Sequence, residues 1–216
     1  MEICIHKVCF NKEIILNNIN ITINEGDLIH IIGKNGAGKS TFFKVLLGEL
    51  SYSGYININS TDIAVVADYA SIPKEMYVRD IINFLKKYHK NYDKNMVKKL
   101  SEITLINDIT NRKVNKLSSG EKRKLEIYST LFSGKRVVIF DEVTNALDDT
   151  AKRNIIKLIV ELRKEFQDII IFYTSHDIRE TIELGGRYFF VNKEKKLFYE
   201  KVIFNEEELL KEYAYL

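Results

Sequence analysis

The chain has 216 residues, 45% of them hydrophobic and 29% charged, which is enough to bury a sizeable core as one α/β domain or as one domain with an inserted lobe. Two cysteines, Cys4 and Cys9, form no disulfide pattern and suit a reducing compartment. The sequence has no secretory signal and no run of about 18 apolar residues, so we expect a soluble protein that needs a partner for any membrane role. The net charge of +3 is too small to indicate nucleic-acid binding by itself.

The first 66 residues are predicted to be mostly antiparallel strands around one strand–loop–helix unit. Ile19, Ile21 and Ile23 alternate with polar residues, and this period of two predicts a strand. The predicted elements are strands at 2–10 and 18–23, a turn at 24–27, a buried strand at 28–32, a helix from 41 that stops at Gly48, and short strands at 54–59 and 63–66.

Residues 33–41 read G-K-N-G-A-G-K-S-T and fit the phosphate-binding pattern G-x-x-x-x-G-K-[ST]. The three glycines are expected to adopt positive φ and to bring backbone N–H groups close to an anion at the start of a helix. Lys39 is expected to reach the β- and γ-phosphates, and Ser40 to place a hydroxyl on Mg²⁺. A glycine-rich turn with an accidental Lys-Ser pair is the alternative. The candidate nucleotide-binding residues here are Gly33, Asn35, Gly36, Ala37, Gly38, Lys39, Ser40 and Thr41.

The pattern changes near Pro73, where two helices are predicted to follow. One spans 78–90, with apolar residues at 78, 81, 82, 85 and 88 on one side, and the other spans 93–105, with Asp93 as its N-cap. Residues 107–116 are polar and irregular. We interpret 74–116 as a helical lobe inserted into an α/β core; the alternative is that these helices simply lie on the sheet.

The basic residues are concentrated in this part of the chain. Residues 74–124 hold 14 Lys plus Arg and 6 Asp plus Glu. A solvated helical face is the commoner explanation. The alternative is a lobe that faces something acidic, such as an anionic inner leaflet.

The last hundred residues alternate between helix and strand patterns, which is typical of an α/β protein. The predicted elements are helices at 121–132, 148–166 and 177–184, strands at 137–140 and 169–173, a hairpin formed by 187–191 and 196–200, and a short closing helix after Asn205.

The strand at 137–140 leads into Asp141 and Glu142 and has the form of a Walker B strand. A carboxylate at the end of a buried strand beside a phosphate loop can position Mg²⁺, which we expect of Asp141. The adjacent Glu142 is placed to polarise the attacking water. A plain strand end would be the better interpretation if the phosphate loop were absent.

Residues 117–121 read L-S-S-G-E and resemble the L-S-G-G-Q signature of ATP-binding cassette (ABC) ATPases. They stand just before a predicted helix and the Walker B strand, as in that family. Helix-opening hydroxyls and free N–H groups form an anion site, which in the family caps the γ-phosphate bound by the other subunit. A serine-capped helix start is the alternative. The candidate residues are Ser118, Ser119, Gly120 and Glu121.

The resemblance covers most of the chain. It implies an α/β P-loop NTPase core of ABC type, with an N-terminal antiparallel β-subdomain and an inserted helical subdomain. Residues 1–216 are expected to form one such domain, with 1–73 and 117–216 as the core with its β-subdomain and 74–116 as the insert.

Further positions match family residues. Phe10, 23 residues before Gly33, stands where the family has an aromatic that stacks on adenine, with a structural core Phe as the alternative. Residues 145–148 resemble the S-A-L-D segment that crosses the family's dimer interface. His176 matches the switch histidine that contacts the γ-phosphate, whereas the remaining histidines, His6, His30 and His89, match nothing and are taken as structural or surface residues.

Three departures from the family pattern stand out. Asp68 falls where the family has the glutamine that touches Mg²⁺ and relays motion to the membrane partner, so the relay is in question. Ser119 and Glu121 replace Gly and Gln of the signature, and a carboxylate there either slows turnover or is harmless if it points away. Val143 replaces a proline, which concerns a turn and not the chemistry.

The resemblance therefore implies an ATP-binding, ATP-hydrolysing subunit of an ABC transporter that uses Mg²⁺. Two copies, or this chain and a similar cassette, are expected to dimerise head to tail beneath a transmembrane permease on the inner face of the membrane, without nucleic acid. The short insert and the lack of an added C-terminal domain favour an exporter or a peptide-handling system. A soluble nucleotide-gated assembly factor and a weakly active binding module are the alternatives.

Overall fold

A parallel sheet and a smaller antiparallel sheet form the scaffold of the protein. The computed structural model describes residues 1–10, 13–66, 72–194 and 197–216. Within them the strands are β1 (Glu2–Phe10), β2 (Glu13–Thr22), β3 (Leu28–Ile32), β4 (Tyr52–Ile56), β5 (Ile63–Val66), β6 (Val137–Asp141), β7 (Ile170–Thr174), β8 (Arg187–Asn192) and β9 (Leu197–Lys201). The helices are α1 (Lys39–Leu46), α2 (Val78–Tyr88), α3 (Lys94–Thr104), α4 (Ser119–Leu131), α5 (Asp149–Glu165), α6 (Ile178–Leu184) and α7 (Glu206–Tyr215).

The antiparallel sheet runs in the order β2–β1–β4. Ile3 and Ile5 of β1 are buried while their neighbours are more exposed, as the period of two requires. The register against β4 shifts between Ile5 and Lys7, and so Val8 is the next residue to return to the buried face. This sheet is the predicted N-terminal β-subdomain, and its presence confirms that part of the expected fold class.

The larger sheet runs in the order β5–β6–β7–β3–β8–β9. Its pairs are parallel except for β8 with β9, which form the predicted antiparallel hairpin. Every residue of β3 and β7 is buried, as strands covered on both faces must be. Because parallel strands share one direction, the loops that follow β3, β6 and β7 leave the sheet at the same edge.

Alternate residues of β6 belong to two separate hydrophobic cores. Val138 and Phe140 of β6 pack with the core that includes α4, α5 and the helices of the 78–104 segment. Val137 and Ile139 pack on the other face, with α1 and the antiparallel sheet. The sheet is thus covered on both faces.

The helices between residues 78 and 104 pack on other helices of the protein. α2 buries Val78, Ile81 and Ile82 and lies against α4, and α3 lies against α4 and α5. Asp93 caps α3 as predicted, since its carboxylate accepts hydrogen bonds from the amides of Asn95 and Met96. The division of the chain into a core and a lobe at 74–116 stays a prediction.

Several predicted boundaries and contacts are wrong. β2 begins at Glu13, well before residue 18, because its pairing with β1 extends to the end of that strand. β4 ends at Ile56, and β5 pairs in parallel with β6, so β5 belongs to the larger sheet. Tyr88 was expected on the buried side of α2 but is 71% exposed, because it lies in the last turn.

Two sequence predictions, on the cysteines and on membrane-spanning segments, can be compared with the described residues. Cys4 is half-buried and Cys9 is exposed, and both are free thiols. None of the helices within the described ranges combines the length and the apolar character needed to span a lipid bilayer.

Candidate functional site

The loop after β3 leads directly into α1. Gly36 and Gly38 have positive φ, 73° and 115°, as expected for glycines that turn N–H groups toward an anion. Gly38 is the N-cap of α1 and carries no side-chain cap, so the first amides of the helix are left for another acceptor. Asn35 and Ser40 are exposed beside them. This geometry is that of an anion-binding site.

Gly33 is a glycine for a different reason from the one predicted. It is not among the residues with positive φ. A Cβ at this position would lie 2.9 Å from the carbonyl oxygen of Val191 in β8 and 3.1 Å from the Cβ of Ala37. Close packing of the loop against the neighbouring strand therefore excludes any side chain at Gly33.

Lys39 lies over the phosphate-binding loop. Its Nζ donates to the carbonyl oxygen of Gly33 at 2.6 Å, and the carbonyl oxygen of Lys34 lies at 3.4 Å. Burial lowers the pKa of Lys39, and the carboxylates of Glu142 and Asp141 partly oppose that effect. The lysine is thus close enough to both acidic residues to feel their charge, which places the loop and the end of β6 in one site.

Asp141 and Glu142 stand at the carboxyl edge of the sheet, as predicted. The hydroxyl of Thr174 at the end of β7 donates to Asp141 Oδ1 at 2.6 Å and accepts from the amide of Glu142 at 3.0 Å. Glu142 itself has a φ of 52°, a conformation that costs a residue with a side chain about 1–3 kcal/mol. One hydroxyl therefore orients both acidic residues, a role for Thr174 that sequence reasoning missed.

Glu142 and His176 are in direct contact. His176 Nε2 lies 2.7 Å from Glu142 Oε1, and Asn145 Nδ2 donates to Glu142 Oε2 at 3.0 Å. Both side chains remain partly accessible, at 31% for Glu142 and 41% for His176. A carboxylate held by two neighbours and open to solvent can hydrogen-bond a water and polarise it.

A buried carboxylate lies behind His176. Glu180 is 5% exposed, and its Oε2 accepts hydrogen bonds from the hydroxyls of Thr144 (2.7 Å), Tyr173 (3.0 Å) and Ser175 (2.7 Å). Burial, followed by the nearby Glu180 charge, raises the pKa of Tyr173, so its hydroxyl keeps its proton and donates. Glu180 thereby joins the loop after β6 to the loop that carries His176. The sequence signals that could have identified Glu180 are its position four residues after His176 and the hydroxyl residues at the ends of the neighbouring buried strands.

The 117–121 segment begins α4 two residues earlier than predicted. Ser118 is the N-cap, and its hydroxyl accepts from the amide of Glu121 at 3.2 Å. In return Glu121 Oε2 accepts from the amide of Ser118 at 2.8 Å, so the two form a reciprocal capping box. Gly120 packs on α5, where an added Cβ would lie 3.1 Å from the Cβ of Ala151.

Glu121 also pairs with a cation that sequence reasoning missed. Arg112 Nη1 lies 2.6 Å from Glu121 Oε1. Partial burial works against the charged form of Glu121, but the hydrogen bonds from Ser118 and Arg112 outweigh it and hold the pKa of Glu121 below its usual value. The carboxylate is therefore directed back along its own helix turn.

Other predicted positions are described only in part. Asp148 caps α5 through the amides of Thr150 and Ala151, and Ala146 has a φ of 58°, so the 145–148 segment is a tight turn. Phe10 ends β1, but its side chain lies outside the described residues. Asp68 as a whole lies outside them.

The remaining histidines differ in burial: His30 is buried, His89 is half-buried at the C-cap of α2, and His6 is exposed. His30 is buried in β3, where its Nε2 lies 2.8 Å from the carbonyl oxygen of Gly185. Its ring stacks on Tyr188 and meets Tyr173 edge-on. His6 is exposed on β1.

Comparison with known proteins shows which family and which relatives this chain resembles. The family model described as ABC transporter matches residues 16–145. The chain is 27% identical over 200 residues to the "Probable peptide export ATP-binding protein YydI" of Bacillus subtilis (strain 168), covering 90% of this chain and 92% of that protein. It is 31% identical over 219 residues to the energy-coupling factor transporter ATP-binding protein EcfA1 of Ureaplasma parvum serovar 3, covering 93% and 74%.

One solved structure extends the comparison to the fold. The ADP conformation of MJ1267, an ATP-binding cassette of an ABC transporter, matches with a TM-score of 0.78 at 21% identity, covering 99% of this chain and 95% of that chain. The similarities therefore extend over nearly the whole chain and not over the phosphate-binding loop alone.

Proposed function

The chain belongs to the ABC transporter family of ATP-binding subunits, which are ATPases coupled to transport, and from this premise we propose that it powers a membrane exporter that handles peptides. The relatives are ATP-binding subunits of membrane transporters, so the chain works with a transmembrane partner. We further propose that this permease holds it at the inner face of the membrane and docks near residues 68–77, of which 68–71 lie outside the described residues, and near the proposed helical lobe at 74–116.

The contact between Glu142 and His176 carries the catalytic part of the proposal. It lies at the same sheet edge as Lys39, whose pKa responds to Glu142 and Asp141. In this assignment the loop amides and Lys39 bind the β- and γ-phosphates, Glu142 polarises the attacking water, and His176 orients Glu142 and senses the γ-phosphate. Asn145 fixes the second oxygen of Glu142.

The donor set beside the loop fits Mg²⁺. Ser40 contributes an exposed hydroxyl and Asp141 a carboxylate, and both are the hard oxygen ligands that this ion prefers in combination with substrate phosphates. Thr174 engages Asp141 Oδ1 and so fixes the orientation of the carboxylate. The ion would neutralise charge that develops on the transferred phosphoryl group.

We propose that the nucleotide site is completed by a second cassette. Each ATP would lie between residues 33–41 of one copy and residues 118–121 of the other. The N-terminus of α4 supports this role, because the Ser118 cap engages the amide of Glu121 and not those of Ser119 and Gly120, and the partial positive charge of a helix start favours an anion. Binding would close the pair and hydrolysis would reopen it.

Peptide export is the finer part of the proposal. It rests on the relative named for peptide export, which this chain matches nearly end to end. The name of the energy-coupling factor relative does not mention peptides, and the test must therefore discriminate between substrates. When the chain is purified from solubilised membranes with its permease, peptides should stimulate ATP hydrolysis; stimulation by another class of solute and by no peptide would contradict peptide export.

The catalytic assignment is tested with Glu142→Gln. This variant should bind ATP as the wild type does and hydrolyse it about 100-fold more slowly or worse, since a positioned base commonly supplies at least that factor. Glu183→Gln, which changes an exposed carboxylate of α6, is the matched control and should keep wild-type turnover. Near-normal turnover in Glu142→Gln would overturn the assignment of the base.

A further inference from the structure

A carboxylate stands in the first turn of α4, where the proposed function requires an anion to bind. Glu121 is the third residue of that helix, and the phosphates of an ATP held by a second copy would approach the same turn. An unpaired carboxylate would repel those phosphates and oppose the favourable helix terminus. In the structure, neighbouring groups of the same chain bind the carboxylate of Glu121 and neutralise its charge.

Both oxygens of Glu121 are engaged within its own chain. Oε2 accepts from the amide of Ser118 at 2.8 Å, and Oε1 lies 2.6 Å from Nη1 of Arg112. The arginine's other terminal nitrogen, Nη2, donates to the carbonyl oxygen of Lys116 at 2.5 Å. The guanidinium thus bridges the segment just before α4 and the carboxylate, and it draws that carboxylate toward the helix N-cap.

Arg112 is itself held by the backbone. Its amide donates to the carbonyl oxygen of Ile109 at 3.0 Å, and its carbonyl oxygen accepts from the amide of Val78, at the start of α2, also at 3.0 Å. The side chains of Arg112 and Glu121 are 43% and 29% exposed, so the pair is partly shielded from solvent. Because its backbone is already held, Arg112 loses mainly side-chain entropy when it forms the ion pair, and the planar guanidinium limits that loss.

We propose that Arg112 is a positioning residue that holds Glu121 in the capping box and cancels its charge, so that the start of α4 accepts the γ-phosphate of ATP bound by a second copy of this chain. The proposal rests on the composite site of the proposed function and names the residue that makes a Glu-containing segment compatible with it. Arg112 acts through Glu121 and need not touch the nucleotide.

The test is a double-substitution cycle on ATP-driven dimerisation. The Glu142→Gln background slows hydrolysis, and light scattering over a range of ATP concentrations measures the dimer. Arg112→Ala should raise the ATP concentration for half-maximal dimerisation roughly threefold to tenfold, as expected for an uncompensated charge close to the phosphates. Glu121→Gln, which keeps a capping-box residue, should leave that concentration near the parent value or lower it.

The decisive variant is the double substitution Arg112→Ala with Glu121→Gln. It should return the ATP requirement close to that of Glu121→Gln alone, because no carboxylate then remains to be neutralised. Arg112→Lys should retain part of the effect, and added salt should shrink the difference between Arg112→Ala and the parent. Lys113→Ala is the matched control, since it removes one neighbouring positive charge whose ion pair with Glu75 is exposed and 3.7 Å long.

Several outcomes would overturn the proposal. An Arg112→Ala defect that persists in the double variant would mean that the arginine serves packing and not the charge of Glu121. Effects of the same size for Arg112→Ala and Lys113→Ala would also contradict a role specific to Arg112. Nucleotide binding by the monomer, followed with a fluorescent ATP analogue, should be unchanged in all variants and shows that they are folded. A Glu142→Gln parent that binds ATP without dimerising would refute the composite site itself, and the proposal with it.

Discussion

The buried His30 makes a prediction about acid stability whose size follows from the structure. His30 is 1% exposed in β3, the strand that leads into the phosphate-binding loop. Burial lowers its pKa to about 4; the hydrogen bond to the Gly185 carbonyl opposes this effect, and the positive charge of Arg163 adds to it. The folded protein therefore keeps His30 neutral at a pH where the unfolded chain protonates it.

The sign and size of the effect follow from linkage between proton binding and folding. The unfolded chain takes up the proton around the ordinary pKa of 6.5, and the folded chain does so only around 4. Between these values the unfolded state binds more protons, so the free energy of unfolding decreases as the pH falls from 6.5 toward 4. The loss attributable to His30 is about 2 kcal/mol by about pH 5 and about 3 kcal/mol in the low-pH limit.

Urea unfolding of the wild type and His30→Gln measures this contribution. Glutamine keeps a donor for the Gly185 carbonyl but does not titrate, so the variant should lose about 2 kcal/mol less of its free energy of unfolding than the wild type between about pH 7.5 and about pH 5. It should be less stable near neutral pH, because the ring contacts of His30 with Tyr173 and Tyr188 are lost. His6→Gln, which alters an exposed histidine, should follow the wild-type pH dependence. Identical pH dependence in the wild type and His30→Gln would refute the reasoning.

Two further predictions concern side-chain packing around the site. Glu180→Ala should lower the free energy of unfolding by about 3 kcal/mol, because two buried hydroxyls and one partly buried hydroxyl lose their acceptor, whereas Glu180→Gln keeps one acceptor oxygen and should lose less than half as much. Equal losses in urea unfolding would argue against the hydroxyl cluster. Gly33→Ala should cost about 2 kcal/mol and weaken ATP binding, because the backbone carbonyl of Val191 cannot move away from the added methyl. Calorimetry and nucleotide titration measure both effects, and wild-type values would contradict the packing argument.

Much of the fold followed from signals that are local in the chain. The apolar run 28–32 predicted β3, and the acidic caps predicted the starts of α3 and α5, because burial on both faces and N-cap hydrogen bonds depend on residues a few positions apart. The boundary of β2 and the place of β5 did not follow, since they depend on which strand lies alongside.

The candidate site divides in the same way. Lys39, Asp141, Glu142 and His176 were predicted individually from motifs, and the structure brings Glu142 within 2.7 Å of His176 and within electrostatic reach of Lys39. Their supporting partners, Thr174, Glu180 and Arg112, carry no motif. Thr174 and Glu180 lie 33 and 36 positions along the chain from a group that each of them holds, and only the folded arrangement assigns these contacts. Arg112 lies only nine positions before Glu121, but no motif links the two residues.

By itself the sequence determined that this protein has a phosphate-binding loop, a Walker B strand and an ABC-type signature, because each is a short run whose residue types and spacing carry the chemistry. Only the tertiary structure decided why Gly33 has no side chain and which way Glu121 points. The first depends on a carbonyl of β8 and the second on an arginine from the segment before α4. Steric exclusion and charge neutralisation are properties of distances in space, which the spacing of residues along the chain does not contain.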